Sequence, residues 1–279
     1  MNKRRISEIW IYPIKSLAGI RMQKAIVMQK GLEYDRRWML VDQEGRFLTQ
    51  RERPSMALFA LTLDDSNLTV TSQLPVASMQ SSFITIDLRE AISGDLTSVQ
   101  IWDDQVEAAE VKPEYSAWFS QQLGIPCKLV FFPEGKRRDV NPDYVKNNEQ
   151  VSLADGYPFL IIGQLSLDAL NKKLVQPVSM KRFRPNFVFT DGLPHEEDTW
   201  RDFKIGQVSF CGIKPCGRCV LITVNPETGE MGVEPLKTLA SYRKQGGKVY
   251  FGENLLARSY GEVCEGDDVE IMNLKTPRI

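Results

Sequence analysis

Short runs of alternating apolar and polar residues dominate the chain, and each run predicts a β-strand. The first, residues 6–12, is rich in Ile, Trp and Tyr and stops at Pro13. Residues 38–41 and 46–49 flank a polar link that contains glycine, which predicts a hairpin. Further strands are predicted at residues 58–63, 68–71, 83–88, 99–102, 105–108, 127–132, 187–190, 207–211, 219–224 and 269–272. Short strands separated by Asp, Asn and Ser turns are typical of β-sandwiches and barrels.

Three segments have apolar residues at helical spacing instead, namely 115–123, 165–174 and 236–245. Gly124 and Gly246 suit the C-terminal ends of the first and third helices. Pro235 suits the first turn of the third. The pattern as a whole predicts an α+β protein that is mainly β, with a few helices.

The polar stretch 133–150 contains two prolines and a basic run, and it predicts a linker or a long surface loop. A chain of 279 residues has room for one large domain or two of medium size. We therefore expect two domains, residues 1–125 and residues 126–279.

Composition and charge are those of a globular protein with a real core, at 42% hydrophobic and 25% charged residues with a net charge of −1. Nothing global indicates a nucleic-acid or membrane partner. The sequence has no secretory signal and no apolar membrane span, and its five cysteines are an odd number. These features predict a reduced, cytoplasmic protein.

Residues 1–53 are locally basic, with twelve Lys and Arg against six Asp and Glu. They form either a solvated face or a site for an anion.

Cysteines are concentrated near residue 215, where Cys211, Cys216 and Cys219 fall within nine residues and Arg218 precedes the last. Thiolates are soft metal ligands, and neighbouring cations favour the thiolate form. The segment alone leaves several alternatives open. Zinc or an iron–sulfur cluster would need a distant further ligand, and thiol–disulfide exchange or buried free cysteines are also compatible.

The only histidine, His195, lies in a polar turn where a surface position is expected, and the acidic loop 195–198 could border a site mouth.

Basic and polar residues follow or precede predicted strands at three places. Lys15 and Ser16 follow the first predicted strand, Arg36 precedes the strand at residues 38–41, and Arg184 and Asn186 precede the strand at residues 187–190. Loops at strand ends are where a rigid scaffold holds binding groups, and guanidinium groups match phosphate or carboxylate oxygens. Together with a reactive thiolate, these residues indicate a pocket for an anionic cofactor that carries a metal.

Ordered blocks over most of the chain carry a family resemblance, and they lie at residues 12–16, 31–38, 47–51, 155–160, 183–186, 197–200, 214–223, 225–229 and 266–267. In these blocks the chain resembles the MOSC domain proteins, named for the C-terminal domain of molybdenum cofactor sulfurase. Within that family it is most similar to the amidoxime-reducing components and their bacterial relatives. The resemblance implies an N-terminal MOSC-type β-barrel domain followed by a MOSC β-barrel domain, and the molybdenum cofactor bound between them.

The resemblance also implies roles for individual residues. Cys219 matches the cysteine ligand of molybdenum, with Arg218 as the catalytic cation beside it. The residues that match cofactor-binding positions are Lys15, Ser16, Arg36, Gly156, Tyr157, Arg184, Asn186, Gly217 and Arg218. Mammalian relatives carry a Thr-Ser pair where this chain has Gly156 and Tyr157, so side-chain contacts there differ.

The implied activity is reduction of small N-hydroxylated compounds, such as hydroxylaminopurines and amidoximes. Some bacterial relatives carry a ferredoxin-like domain that has no counterpart in this sequence, so electrons are expected from a separate flavin or iron–sulfur protein. Two alternatives stay open. One is a sulfur carrier or cofactor-transfer protein that uses a cysteine persulfide, and the other is a non-catalytic cofactor-storage module.

Overall fold

The computed structural model describes residues 3–74, 82–89, 95–144 and 149–277. Over these residues the protein is mainly β, with nineteen strands and three α-helices. The strands are β1 Arg5–Ile11, β2 Ile20–Met22, β3 Lys24–Met28, β4 Gly31–Leu32, β5 Trp38–Val41, β6 Phe59–Leu63, β7 Asn67–Ser72, β8 Phe83–Asp87, β9 Leu96–Ile101, β10 Asp104–Glu110, β11 Lys128–Phe131, β12 Phe159–Gly163, β13 Phe187–Thr190, β14 Trp200–Ile205, β15 Val208–Arg218, β16 Lys244–Gln245, β17 Lys248–Ala257, β18 Gly261–Cys264 and β19 Val269–Leu274. The helices are α1 Pro113–Leu123, α2 Gln164–Asn171 and α3 Leu236–Ala240.

Two small sheets and one helix form most of the N-terminal half, and the sheets have the strand orders β5-β11-β10-β9 and β6-β7-β8. A third small sheet, of order β18-β3-β4, pairs strands from both halves of the chain. Helix α1 begins at a proline and ends where Gly124 adopts φ 66°, a left-handed conformation that costs glycine little. Its Trp118 and Phe119 pack against Phe59 of β6, with ring centroids 6.0 and 5.9 Å away. Aromatic burial of this kind holds helix and sheet together.

A nine-stranded sheet forms the C-terminal half, and it includes the first strand of the chain. Its order is β19-β14-β15-β17-β12-β13-β1-β2, with β16 added on β17. Strand β1 pairs antiparallel with β13, and β12 and β13 are parallel. Ile9, Phe187 and Phe210 are buried on one face of this sheet. The pairing of β1 carries the residues that follow it, Lys15 and Ser16, to the ends of the C-terminal strands.

Strand exchange between the halves is reciprocal. Strand β11 lies beyond residue 125 in sequence but pairs with β5 and β10 of the N-terminal half. The division into residues 1–125 and 126–279 stays a prediction. The predicted linker 133–150 contains the 3-10 helix Pro142–Tyr144, and its residues 145–148 lie outside the described residues.

Three local predictions were wrong, each for a tertiary reason. Residues 219–224, rich in Val and Ile, were expected to be a strand but form the 3-10 helix Val220–Thr223, because the chain leaves the sheet after β15. The third helix was expected to reach residue 245 but ends at Ala240. Gly246 and Gly247 have φ 56° and 79° and form the two-residue turn between β16 and β17 rather than a helix end. Residues 46–49 form isolated bridges to Val41 and Gln100 rather than a strand.

Candidate active site around Cys219

One pocket, here called the Cys219 pocket, lies where strand ends of both halves meet. Loops that follow β1 and precede β5, β12 and β13 converge there with the end of β15. Its lining includes every candidate site residue predicted from the sequence, namely Lys15, Ser16, Arg36, Gly156, Tyr157, Arg184, Asn186, Gly217, Arg218 and Cys219. The topology therefore brings together residues as far apart in sequence as 15 and 219. Which of them bind a cofactor stays a prediction.

The Cys219 thiol is exposed and hydrogen bonds to an arginine that the sequence analysis did not select. Arg51 Nε lies 3.2 Å from Cys219 Sγ, and Arg51 Nη2 lies 2.9 Å from Asp155 Oδ2. Both Arg51 and Asp155 line the pocket. They belong to sequence blocks that carry the family resemblance, but no role was assigned to them. Arg51 thus links the thiol to a carboxylate.

Lys15 and Asp155 form a close ion pair in the wall of the pocket. Lys15 Nζ donates to Asp155 Oδ1 at 2.6 Å and to the Leu153 carbonyl at 2.9 Å. Burial lowers the pKa of the Lys15 ammonium to about 8, although Asp155 opposes the shift. Desolvation raises the pKa of the Asp155 carboxyl, but the charges of Lys15 and Arg51 outweigh it and hold that pKa well below its usual range. Asp155 is therefore ionised at neutral pH.

Two guanidinium groups enclose the buried ring of Tyr12. The central carbons of Arg36 and Arg184 each lie 4.2 Å from the ring centroid. Burial, reinforced by the charge of Arg36, lowers the pKa of Arg184 to about 10. Arg36, Arg184 and Ser16 all have left-handed backbone, with φ of 49°, 55° and 67°. Each such conformation costs about 1–3 kcal/mol, and strained residues of this kind cluster at functional sites.

The Asp35 carboxylate fixes the loop that carries these residues. It is 1% exposed and accepts hydrogen bonds from Tyr12 N at 2.7 Å, from Asn186 Nδ2 at 3.1 Å and from Arg36. Asn186 also donates to the Trp10 carbonyl and accepts from Leu160 N. Its amide is thus occupied by protein partners on three elements. Asn186 lines the pocket with its side chain held by these contacts, and its predicted part in cofactor binding stays a prediction.

Arg218 lies in the pocket wall but its hydrogen bonds go to backbone. Its guanidinium donates to the Phe251 and Phe183 carbonyls at 2.7–2.9 Å. Among the described residues, Arg51 is the guanidinium that hydrogen bonds Cys219. Cys216 lines the pocket, whereas Cys211 is buried and is absent from the lining. The three cysteines therefore do not converge on one point of the pocket.

The chemistry of the lining fits an anionic cofactor held by one thiolate. The described lining has five basic residues, Lys15, Arg36, Arg51, Arg184 and Arg218, and one acidic residue, Asp155. A Cβ at Gly156 would meet no protein atom within 4 Å, and one at Gly217 would touch only Tyr250 at 4.0 Å. Protein packing therefore does not require glycine at either position, and the bare backbone faces open space. Within the described residues, no three His, Cys, Asp or Glu side chains are grouped to hold a metal ion.

The acidic segment expected at the mouth of the site is buried elsewhere. Glu197 is 0% exposed, accepts from the Ser166 hydroxyl and Gly163 N, and is absent from the pocket lining. Burial, with a smaller effect of Asp198, raises the pKa of Glu197 to about 7. His195 is half-buried between Tyr242 and Phe251 rather than on the surface, and burial lowers its pKa to about 4.

The raised pKa of Glu197 should make the free energy of unfolding depend on pH. Below its ordinary pKa of 4.5 both states keep the proton, and the group contributes nothing. Between about pH 4.5 and 7 the unfolded chain releases the proton while the folded chain keeps it, so rising pH favours unfolding by up to about 3 kcal/mol. The unfolding free energy of Glu197→Gln minus that of the wild type should therefore increase by about this amount between pH 4.5 and 8. Urea titrations at several pH values measure it, and parallel curves would contradict it.

No α-helix among the described residues is both long enough and apolar enough to cross a membrane.

Comparison with known proteins identifies the family. Residues 3–126 match the MOSC N-terminal beta barrel domain, and residues 148–270 match the MOSC domain. Human mitochondrial amidoxime-reducing component 1 is 30% identical over 285 residues, covering 96% of this chain and 82% of its own. Mitochondrial amidoxime reducing component 2 from Bos taurus is 33% identical over 247 residues, covering 85% and 72%. Molybdenum cofactor sulfurase from Oryza sativa is 30% identical over 289 residues, covering 95% of this chain but 34% of its own.

The two matched regions follow one another along the chain, and the fold is mainly β with few helices, so the predicted fold class is confirmed. The relatives are amidoxime-reducing components and molybdenum cofactor sulfurases. The protein therefore belongs to the MOSC domain family, with an N-terminal MOSC β-barrel domain followed by a MOSC domain.

Proposed function

We propose that this protein is a molybdenum cofactor-binding oxidoreductase that reduces N-hydroxylated compounds with electrons from a separate flavin or iron–sulfur protein. The supporting observation is the Cys219 pocket, in which one exposed thiol lies among five cationic side chains and one carboxylate. Such a lining suits a ligand that carries a phosphate at one end and a soft metal at the other. The relatives named for amidoxime reduction are similar over most of this chain. A cytoplasmic location stays a prediction.

The proposed roles follow from side-chain chemistry. Cys219 would bind molybdenum, and Lys15, Ser16, Arg36 and Arg184 would hold the phosphate and the pterin. The backbones of Gly156 and Gly217 would allow close approach of the cofactor, and Tyr157 and Arg218 would form the adjoining wall. When bound, the cofactor supplies the two-electron redox chemistry that cleaves an N–O bond.

The chain's own residues would orient the thiol and manage protons. Arg51 donates a hydrogen bond to Cys219 Sγ and is itself fixed by Asp155, so the direction of the sulfur is set before any ligand binds. Converting an N-hydroxyl group to N–H and water takes up two electrons and two protons. The Lys15 ammonium, whose pKa is about 8, carries a proton at Nζ against Asp155 Oδ1. That pair is a suitable proton source beside the pocket.

Metal and pterin analysis of protein purified from a molybdenum-replete host tests this proposal. We expect stoichiometric molybdenum and pterin, and conversion of benzamidoxime to benzamidine when a chemical reductant replaces the partner protein. The reason is that the proposed cofactor, once held by the pocket, needs only electrons and protons to turn over. Well-folded protein that contains neither metal nor pterin would contradict it.

A second function, sulfur or cofactor transfer, is favoured by one specific observation. Cys216 lines the same pocket as the exposed Cys219, so two thiols are available. One of them could take sulfane sulfur from the persulfide of a donor protein, which leaves as a thiol, and pass that sulfur on. Molybdenum cofactor sulfurase from Oryza sativa is similar over 95% of this chain. Molybdenum-loaded protein that yields no benzamidine with reductant present would favour this carrier function over the reductase.

A further inference from the structure

The turn between β9 and β10 has an unusual residue at its first position. Ile101 pairs with Asp104, so Trp102 and Asp103 form a two-residue hairpin turn. Such turns favour Gly, Asn or Asp, because positive φ is needed there. Trp102 nevertheless adopts φ 55°. A bulky residue in the left-handed region is a genuine outlier, and strain of this kind is a reason to look for function.

Arg51, which contacts Cys219, and its partner Asp155 hold the Trp102 side chain in place. The Arg51 guanidinium lies 4.3 Å from the indole ring centroid, and Trp102 Nε1 donates to Asp155 Oδ1 at 3.3 Å. Phe47 packs against it with ring centroids 5.3 Å apart. Despite these contacts Trp102 is 44% exposed. The side chain is therefore held against Asp155 and against Arg51, which contacts Cys219, while the residue stays partly exposed.

Trp102 also lines a groove that is continuous with the Cys219 pocket. The groove has a volume of about 800 Å³, within the range of cavities that bind small organic ligands. Asp155, Gly156 and Tyr157 line both the groove and the pocket. A molecule in the groove would thus contact the indole at one side and reach towards Cys219 at the other.

Two charged groups of the groove wall, Arg138 and Asp155, are bound to protein partners. Arg138 donates to Asp104 and to the Ser152 and Ala154 carbonyls, and Asp155 is paired with Lys15 and Arg51. The partly exposed indole beside these two paired groups favours a planar ligand that can stack on it. Stacking on a fixed side chain costs little conformational entropy.

We propose that Trp102 is a specificity-determining residue that stacks on the aromatic part of planar N-hydroxylated substrates. The groove would hold the aromatic ring and direct the N-hydroxyl group towards Cys219. This inference rests on the proposed reductase function. It assigns the recognition of aromatic substrates to a strained residue of the N-terminal half, and it leaves aliphatic substrates without this contact.

Replacing Trp102 with asparagine tests the inference, because asparagine accepts the left-handed turn position. Binding of benzamidoxime and of acetamidoxime is measured by calorimetric titration without reductant. We expect Trp102→Asn to weaken benzamidoxime binding about tenfold or more, since stacking of a base on an aromatic side chain has an effect of this order. Acetamidoxime binding should be unchanged. Tyr260→Ala, which removes an exposed ring outside the lining of the groove and the pocket, is the matched control and should bind both as the wild type does.

Thermal unfolding and metal content separate substrate recognition from a structural role. We expect the Tm of Trp102→Asn to equal or exceed that of the wild type, with its molybdenum content unchanged. A lowered Tm, equal weakening for both amidoximes, unchanged benzamidoxime binding, or no measurable binding by the wild type would overturn the inference. Wild-type protein that binds benzamidoxime through Trp102 but never reduces it would contradict the reductase function and leave the groove assignment standing.

Discussion

Cys219→Ser should lose its molybdenum and, with it, the reduction of benzamidoxime, while the fold is retained. A serine hydroxyl is a harder ligand than a thiolate and stays protonated at neutral pH, so it replaces the sulfur poorly on a soft metal. The side chain is exposed and begins a 3-10 helix without a side-chain cap, so little packing is lost. Metal analysis and pterin fluorescence of purified variant and wild type, normalised to folded protein, measure the effect.

Cys216→Ser is the matched control, because Cys216 lines the same pocket three residues earlier. Burial raises the pKa of the Cys216 thiol above its ordinary value, although Arg218 opposes the shift. The group is therefore a protonated thiol at neutral pH, and its loss should leave molybdenum content close to that of the wild type. Equal loss of metal in both variants would show that the two cysteines act as a unit, and that result favours the carrier function. Retention of molybdenum in Cys219→Ser would contradict the assignment of Cys219 as the metal ligand.

Much of this site could be predicted because its residues carry local signals. Lys15 and Arg36 lie directly beside runs with strand periodicity, and strand ends are where a scaffold holds binding groups. The cluster of three cysteines stood out because cysteines are rare, and the family resemblance selected Cys219 within it. What periodicity could not predict is which strands pair. Strand β1 joins the C-terminal sheet through β13, and that pairing helps to bring Lys15 into the same pocket lining as Cys219.

Arg51 and Asp155 illustrate why the other residues that contact Cys219 or its partners could not be predicted from the sequence. Neither lies in the cysteine cluster, and their ion pair joins positions 104 residues apart. Sequence proximity instead suggested Arg218 as the cation beside Cys219. In an extended strand, successive side chains point to opposite faces, so a neighbour in sequence is often not a neighbour in space. Arg218 donates to the Phe251 carbonyl across the sheet, and the guanidinium at Cys219 comes from the N-terminal half.

The left-handed residues of the pocket need support from elsewhere in the fold. Ser16, Arg36 and Arg184 each adopt positive φ without being glycine, at a combined cost of several kcal/mol at about 1–3 kcal/mol each. The Asp35 carboxylate contacts this region at three points and lies between β1, β5 and β13. It is the group best placed to offset that strain, so its removal should be among the most damaging single substitutions.

Asp35→Ala should lower the free energy of unfolding by about 3–5 kcal/mol, the usual cost of removing one partner from a buried ion pair. The variant leaves Tyr12 N without its hydrogen-bond acceptor and Arg36 without its carboxylate partner. Because Asp35 is 1% exposed, water cannot readily replace the lost contacts. Urea unfolding with linear extrapolation measures the loss. Asp268→Ala is the matched control, because it removes an exposed carboxylate paired with Lys3 and Arg5 and should leave the midpoint nearly unchanged. Equal midpoints for the two variants would mean that the Asp35 contacts contribute no more than a surface ion pair.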